Sequence, residues 1–283
     1  MSLRELFGGR DLVIATMHRK EEVIAPVLEK ELGVTCFVPS SFNTDQFGTF
    51  SGEKERKDDP LTTARKKCLM AMEQSGAELG VASEGSFGPH PFLYFIPAND
   101  ELLIFIDRKN GFEIIVRELS TDTNFAGSTV LTKQELNDFA ERVQFPSHGI
   151  ILRPSPDNYT VITKGITDVA TLHRVFNELM AQFGNVYAET DMRAHFNPLR
   201  MKVISKAVIK LTEKIASFCP QCNAPGFGVS DIREGLPCQL CGSPTRSTLS
   251  HVYSCHRCEY RTEKLYPNEK KEEDPMYCDY CNP

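Results

Sequence analysis

The sequence predicts an α/β fold, a mixed sheet flanked by helices, followed by a small metal-held module. Two observations carry this. The first 40 residues read strand, turn, helix, strand, which opens a βαβ unit. Eight of the ten cysteines fall after residue 218 as four CxxC pairs, leaving only Cys36 and Cys68 elsewhere. With 283 residues there is room for one large or two modest domains, and the change in cysteine usage divides the chain into 1–217 and 218–283.

Asp11 to Thr16 (DLVIAT) is a short β-branched strand. After Met17-His18-Arg19-Lys20, the spacing of Val23/Ile24, Val27/Leu28 and Leu32 predicts a helix with Pro26 inside it and Gly33 as its stop. Val34 to Val38 is the second strand. Pro39 to Pro60 reads as a long polar loop with Gly48 and Gly52. Its Lys54, Arg56 and Lys57 are candidates to meet an anion, against the plainer reading of a solvated charge run. Pro60 suits a helix first turn; Leu61, Ala64, Cys68 and Met72 line the inner face of that helix, and Arg65, Lys66 and Lys67 crowd one turn.

The apolar run Leu79 to Ala82 predicts a strand that releases Glu84 into a Ser-Glu-Gly-Ser turn, a common way to set an acid at a site edge. Phe92 to Pro97, Leu102 to Ile106 and Phe112 to Leu119 read as strands, joined through turns at Pro97–Asp100 and Lys109-Asn110-Gly111, with Asp107 leaving the second. Thr132 and Glu135 form a capping box for a helix to Val143. Gly149 to Arg153 and Tyr159 to Thr163 are short strands, Thr167 to Phe183 a helix closed by Gly184, and Val186 to Glu189 a strand. Asn197-Pro198 opens a long helix whose stripe is Leu199, Val203/Ile204, Val208, Leu211 and Ile215. Lys202, Lys206, Lys210 and Lys214 share its other face, either as a solvated surface or as a strip for phosphates or an acidic partner.

Between that strand and helix, Glu189, Asp191, Arg193 and His195 lie within seven residues. An extended backbone puts Glu189 and Asp191 on one face, suited to a divalent cation. The plainer reading pairs both carboxylates with Arg193.

The cysteine pairs are Cys219/Cys222, Cys238/Cys241, Cys255/Cys258 and Cys278/Cys281, separated by 15, 13 and 19 residues. Each CxxC offers two thiolates, and two pairs complete a tetrahedron around Zn²⁺. Sequential pairing gives two zinc ribbons; a cross-braced pairing, first with third and second with fourth, is the alternative. The metals hold a segment too short to bury much core.

From residue 219 onward seven Lys/Arg stand against nine Asp/Glu, a formal −2. Two Cys₄–Zn²⁺ centres lower this to about −6, the wrong sign for a phosphate backbone. Tyr253, His256, Arg257, Tyr260 and Arg261 form at most a local patch, which favours a structural or protein-contact role for the module. The whole chain carries −6, which argues against wholesale nucleic-acid coating. No apolar stretch approaches a membrane helix, and the first residues lack the features of a signal peptide. Paired thiols at metal-ligand spacing then imply a reducing, cytoplasmic setting. Self-association into a homo-oligomer stays open.

With these pieces in place, the first ~90 residues resemble the inosine triphosphate pyrophosphatase-like superfamily. Its opening S/T-x-N-x-x-K turn is matched by Thr16-Met17-His18-Arg19-Lys20, with His18 in place of the asparagine and the lysine one residue early. Its A-x-x-K-A helix is matched by Ala64-Arg65-Lys66-Lys67-Cys68, and its acidic-glycine turn by Ala82-Ser83-Glu84-Gly85. The match fades after about residue 110, and the zinc tail is foreign to that superfamily. The strings ATMHRKE, FGTFSGE, EGSFGPHP and ETDMRAHFNP are similar to those of an uncharacterised bacterial family of this length.

The resemblance implies a metal-dependent hydrolase of a nucleoside triphosphate or related phosphorylated nucleotide. Thr16, Lys20, Arg65 and Lys67 would hold phosphates. Glu84 would hold Mg²⁺, with Asp107 or Glu189/Asp191 as further ligands, and His18 or His195 would act as acid/base. The rival expectation is a non-catalytic, zinc-stabilised module that recognises a nucleotide, a nucleic acid or a protein.

Overall fold

The computed structural model describes residues 2–40, 42 and 58–283; Gly48, Gly52, Lys54, Arg56 and Lys57 lie outside them. The chain forms two compact units, Ser2–Thr212 and Glu213–Pro283.

The first unit begins with α1 (Leu3–Phe7), β1 (Asp11–Ala15), α2 (Glu21–Leu32), β2 (Thr35–Phe37), α3 (Pro60–Ser75) and β3 (Leu79–Pro89). β1 pairs in parallel with β2 on one side and with β3 on the other. Pro26 sits inside α2, and Gly33 ends that helix at φ +72°. Asp59 caps α3 by accepting from the Leu61 and Thr62 N–H groups. Ala64, Cys68, Ala71 and Met72 of α3 pack on Val13, Ala15 and Ala82.

β3 differs from its expected form. It does not end at Ala82 but runs eleven residues, so Glu84 and Gly85 lie within a strand rather than in a turn. Its partner β4 (Pro97–Asp107) likewise absorbs the expected Pro97–Asp100 turn, and Phe92 to Ile96 form the connecting loop instead of a strand. The reason is pairing: β3 and β4 stay in antiparallel register from Leu79↔Asp107 to Pro89↔Pro97, and this ladder overrides the local turn propensity of the Gly, Pro, Asn and Asp residues. β5 (Phe112–Ser120) completes the sheet after the Lys109–Gly111 turn, in the order β2-β1-β3-β4-β5.

A second, antiparallel sheet has the order β6-β9-β7-β8. It consists of β6 (Gly127–Val130), β7 (Ile150–Arg153), β8 (Thr163–Ile166) and β9 (Val186–Thr190). β8 begins where the expected Tyr159–Thr163 strand was to end. α4 (Lys133–Arg142) carries the Thr132–Glu135 capping box, and α5 (Val169–Phe183) is capped by Asp168 and closed by Gly184. Both helices bury their apolar faces with Ile150, Leu152, Val186 and Ala188. α6 (Pro198–Ala216) follows, with the Asn197 Oδ1 accepting from the Arg200 N–H at 2.9 Å as its cap. Its expected apolar stripe is buried, and Lys202, Lys206 and Lys210 are exposed.

The second unit holds β10 (Gly228–Glu234), β11 (Thr248–Ser254) and β12 (Arg261–Leu265), an antiparallel three-stranded sheet. No helix among the described residues is long and apolar enough to cross a membrane.

Candidate functional site

β1 ends at Ala15, opposite Ala82, while β3 continues. The chain leaves β1 through Thr16–Lys20 into α2 and β2 on one side, then returns through α3 to β3 on the other. The carboxyl end of β1 is therefore the topological switch point of the sheet, where open α/β folds bind ligands.

Charged side chains gather there from both faces of β3, because successive strand residues point to opposite sides. On the α3 side, Lys67 Nζ donates to Glu84 Oε2 at 2.6 Å, both side chains nearly fully buried. On the other side, Lys20 Nζ donates to Ser83 Oγ at 2.9 Å and to the Ser83 carbonyl at 3.4 Å. Among the described residues Lys20 has no carboxylate within ion-pair distance, although it is 6 % exposed. Burial, with Arg200 nearby, pulls its pKa down to about 7.

One step further along that face, Arg200 Nε donates to Glu101 Oε1 at 2.6 Å, with both side chains 0 % exposed. Gly85 faces this pair across the ladder: a Cβ there would lie 2.5 Å from Arg200 Nη2 and 2.6 Å from Glu101 Oε1. The glycine of the Ser-Glu-Gly-Ser string thus makes room for a buried ion pair and does not turn the chain. Arg200 also donates to the Met192 carbonyl and lies over the Phe87 ring, 5.1 Å from its centroid.

The two histidines singled out in the sequence meet here. The rings of His18 and His195 stack with centroids 5.2 Å apart, although 177 positions separate them in the chain (195 − 18). Burial, then Lys20, His195, Arg200 and Arg193, push the His18 pKa down to about 3. Burial and Arg193 also lower that of His195, and its Nδ1 is buried without a hydrogen-bond partner among the described residues. Thr16 is buried, and its Oγ1 accepts the His18 N–H at 3.4 Å.

Other expected members go elsewhere. Arg65 forms a two-pronged pair with Glu113 and points to β5. Asp107 sits opposite Leu79, at the other end of the β3–β4 ladder, held by Arg10 and Asn110. Asp191 takes Arg193 and the Gly165 N–H, whereas Glu189 pairs with Arg153 and not with Arg193. Glu101 and Arg200 have no local signal of their own: Glu101 falls between the expected Pro97–Asp100 turn and the strand expected from Leu102, and Arg200 meets it only through a long-range contact. Gly85 was the local signal for both.

The second unit corrects the expected zinc pairing. Its two ligand groups are Cys219, Cys222, Cys255 and Cys258, and Cys238, Cys241, Cys278 and Cys281, each with its four sulfurs within 4.8 Å of one another. The arrangement is cross-braced rather than sequential, because the β10–β11 hairpin carries the first and third pairs to one end. Sulfur–sulfur distances of 3.7 and 3.6 Å in the first group, and 3.9 and 3.7 Å in the second, match the ~3.8 Å expected of a tetrahedron with 2.3 Å Zn–S bonds. In every knuckle the N–H after the second cysteine donates to the carbonyl of the first. Asn223, Gly242 and Glu259 adopt positive φ to do so. Among the described residues these are the groups of three or more potential ligands close enough to share an ion; both fit structural zinc.

A family model described as "Domain of unknown function (DUF6671)" matches residues 67–283. The chain belongs to the DUF6671 family. The matched span takes in Lys67, Glu84, Glu101, His195, Arg200 and all eight zinc-type cysteines, while Thr16–Lys20 of this DUF6671 chain precede it. No curated protein matches the chain.

Proposed function

We propose that the Ser2–Thr212 unit binds the polyphosphate of a nucleotide at the carboxyl end of β1 and hydrolyses a phosphoanhydride there. The observation that carries this reading is Lys20, a buried amine at the switch point of the sheet with no carboxylate within ion-pair distance among the described residues. An ammonium in that position costs several kcal/mol unless an anion neutralises it. Lys67 and Arg200 lie on either side of it, each already held by a carboxylate in a buried ion pair. The resemblance of Thr16–Lys20 and Ala82–Gly85 to the inosine triphosphate pyrophosphatase-like superfamily supports a nucleotide as the anion.

In the hydrolysis, water attacks phosphorus, the bridging P–O bond breaks, and the attacking water gives up a proton. His18 and His195, both held neutral and stacked beside Lys20, are the groups we assign to accept it. A bound phosphate beside them raises their basicity by offsetting Lys20, Arg193 and Arg200. Mg²⁺ fits only with the substrate. The Glu84 and Glu101 carboxylates are each engaged by a cation at 2.6 Å. An ion that takes its other ligands from phosphate and water needs one or two carboxylates, and Glu84 is the residue to hold it. When bound, it would neutralise charge developing on the phosphoryl oxygens.

Purified protein is tested with Mg²⁺ and a nucleotide panel. Turnover abolished in Glu84→Gln and binding lost in Lys20→Met support the reading. No turnover and no Lys20-dependent binding sink it. The tight Lys67–Glu84 pair favours one alternative, a nucleotide-binding module without hydrolysis; Lys20-dependent binding with no turnover would select it.

A further inference from the structure

On the second sheet, Ile150, Leu152, Val186 and Ala188 face the core, so Arg153, Tyr187 and Glu189 occupy the opposite face. Arg153 is 5 % exposed. Its Nη2 donates to Glu189 Oε2 at 2.9 Å, and its guanidinium lies 4.5 Å from the Tyr159 ring centroid and 5.2 Å from that of Tyr187. Among the described residues its Nε and Nη1 and the second oxygen of Glu189 are buried without a well-aligned hydrogen bond, although the Tyr159 hydroxyl lies close enough to help raise the Arg153 pKa. A buried polar atom left without a good partner costs about 1–3 kcal/mol, so the pair has hydrogen-bonding capacity to spare. Two donors and one acceptor, beside aromatic rings, are complementary to a planar group that offers two acceptors and one donor along an edge. A nucleobase is such a group. Tyr159 is 37 % exposed, so the cluster meets solvent on that side.

A short run of chain joins the cluster to the phosphate seat. Glu189 is followed on the same side of the chain by Asp191, which holds Arg193; His195 comes next, stacked on His18, two residues before Lys20. Gly127 adds a constraint, since a Cβ there would lie 2.0 Å from the Tyr187 hydroxyl.

We propose that Arg153 and Glu189, with Tyr159 and Tyr187, read the base of the nucleotide whose phosphates sit at Lys20. This rests on the function proposed above, and the test separates the two. The zinc-loaded full chain is titrated calorimetrically with ATP, GTP, CTP, UTP and inorganic tripolyphosphate. The wild type is expected to separate its tightest and weakest nucleotide by at least about ten-fold, equivalent to 1.4 kcal/mol. Glu189→Gln, close to isosteric, should reduce that spread to under about three-fold and leave tripolyphosphate affinity unchanged; Tyr159→Ala should weaken every nucleotide but not tripolyphosphate. Lys20-dependent nucleotide binding whose spread is the same in the wild type and both variants overturns the base-reading assignment while the phosphate site stands. Absence of binding by all five probes overturns both.

Discussion

Gly85→Ala puts the buried Arg200–Glu101 pair to a direct test. The new methyl would lie 2.5 Å from Arg200 Nη2 and 2.6 Å from Glu101 Oε1. Ordinary contact needs about 3.4 Å or more, so both groups must retreat by roughly 0.8 Å. Stretching the 2.6 Å Nε–Oε1 contact to about 3.4 Å costs about 1.5 kcal/mol at an effective dielectric of 20. Overpacking adds about 1–3 kcal/mol, giving a total of about 3 kcal/mol. For a unit of this size, each kcal/mol lowers Tm by about 2–4 °C, so a fall of about 6–12 °C is expected in thermal unfolding followed by circular dichroism. Gly88→Ala is the control: a Cβ there meets nothing within 4 Å and its φ is ordinary, so its effect should stay within about 0.5 kcal/mol. If Gly85→Ala loses less than about 1 kcal/mol, or no more than Gly88→Ala, the glycine is not there to admit the pair.

Zinc content by mass spectrometry is expected to be two per chain; the double variant Cys222→Ser/Cys255→Ser should lose one metal and Cys222→Ser/Cys238→Ser both, the reverse of what sequential ribbons would give. Tripolyphosphate affinity should fall as pH rises through about 7, where folded Lys20 gives up its proton, and Lys20→Met should abolish that slope; calorimetry at pH 6, 7.5 and 9 reads it. Because Lys20 is lowered from 10.5, the unfolded chain binds the extra proton between about 7 and 10.5, so the anion-free fold should gain stability across that window. His18 is lowered from 6.5 to about 3, so its contribution is fully present above 6.5 and lost as pH falls toward 3; urea titrations of His18→Gln should show a flatter acid limb than the wild type.

The parts legible in the sequence were those set by local pattern. The β1–α2–β2 opening, the caps at Thr132 and Asn197, the stops at Gly33 and Gly184, and the four cysteine knuckles all follow from spacing over a few residues. Lys20, Lys67 and Glu84 come near one another at the carboxyl end of β1, each from the end or the inner face of a recognisable element. What failed was whatever depended on partners far along the chain. Ser83–Pro89 looks like a turn until β4 pairs with it, and Arg65 looks like a phosphate ligand until Glu113 of β5 claims it. Arg200 looks like one basic residue among several on α6 until Glu101 neutralises it. The zinc pairing failed for the same reason: ligand spacing is indifferent to which knuckles the β10–β11 hairpin brings together.

The cross-braced cysteines also impose an order of events during synthesis. In two successive ribbons the first metal site would be complete once Cys241 had left the ribosome. Here the first site waits for Cys258 and the second for Cys281, so neither ion can be sealed in while the β11 strand is still being made. Four thiolates from the two earlier pairs must stay reduced and unmatched through that interval. Supply of the metal these tetrads would hold therefore acts on this module late and nearly all at once, and a chain stalled before residue 278 carries an open pair at Cys238 and Cys241, a marker by which unfinished copies differ chemically from finished ones.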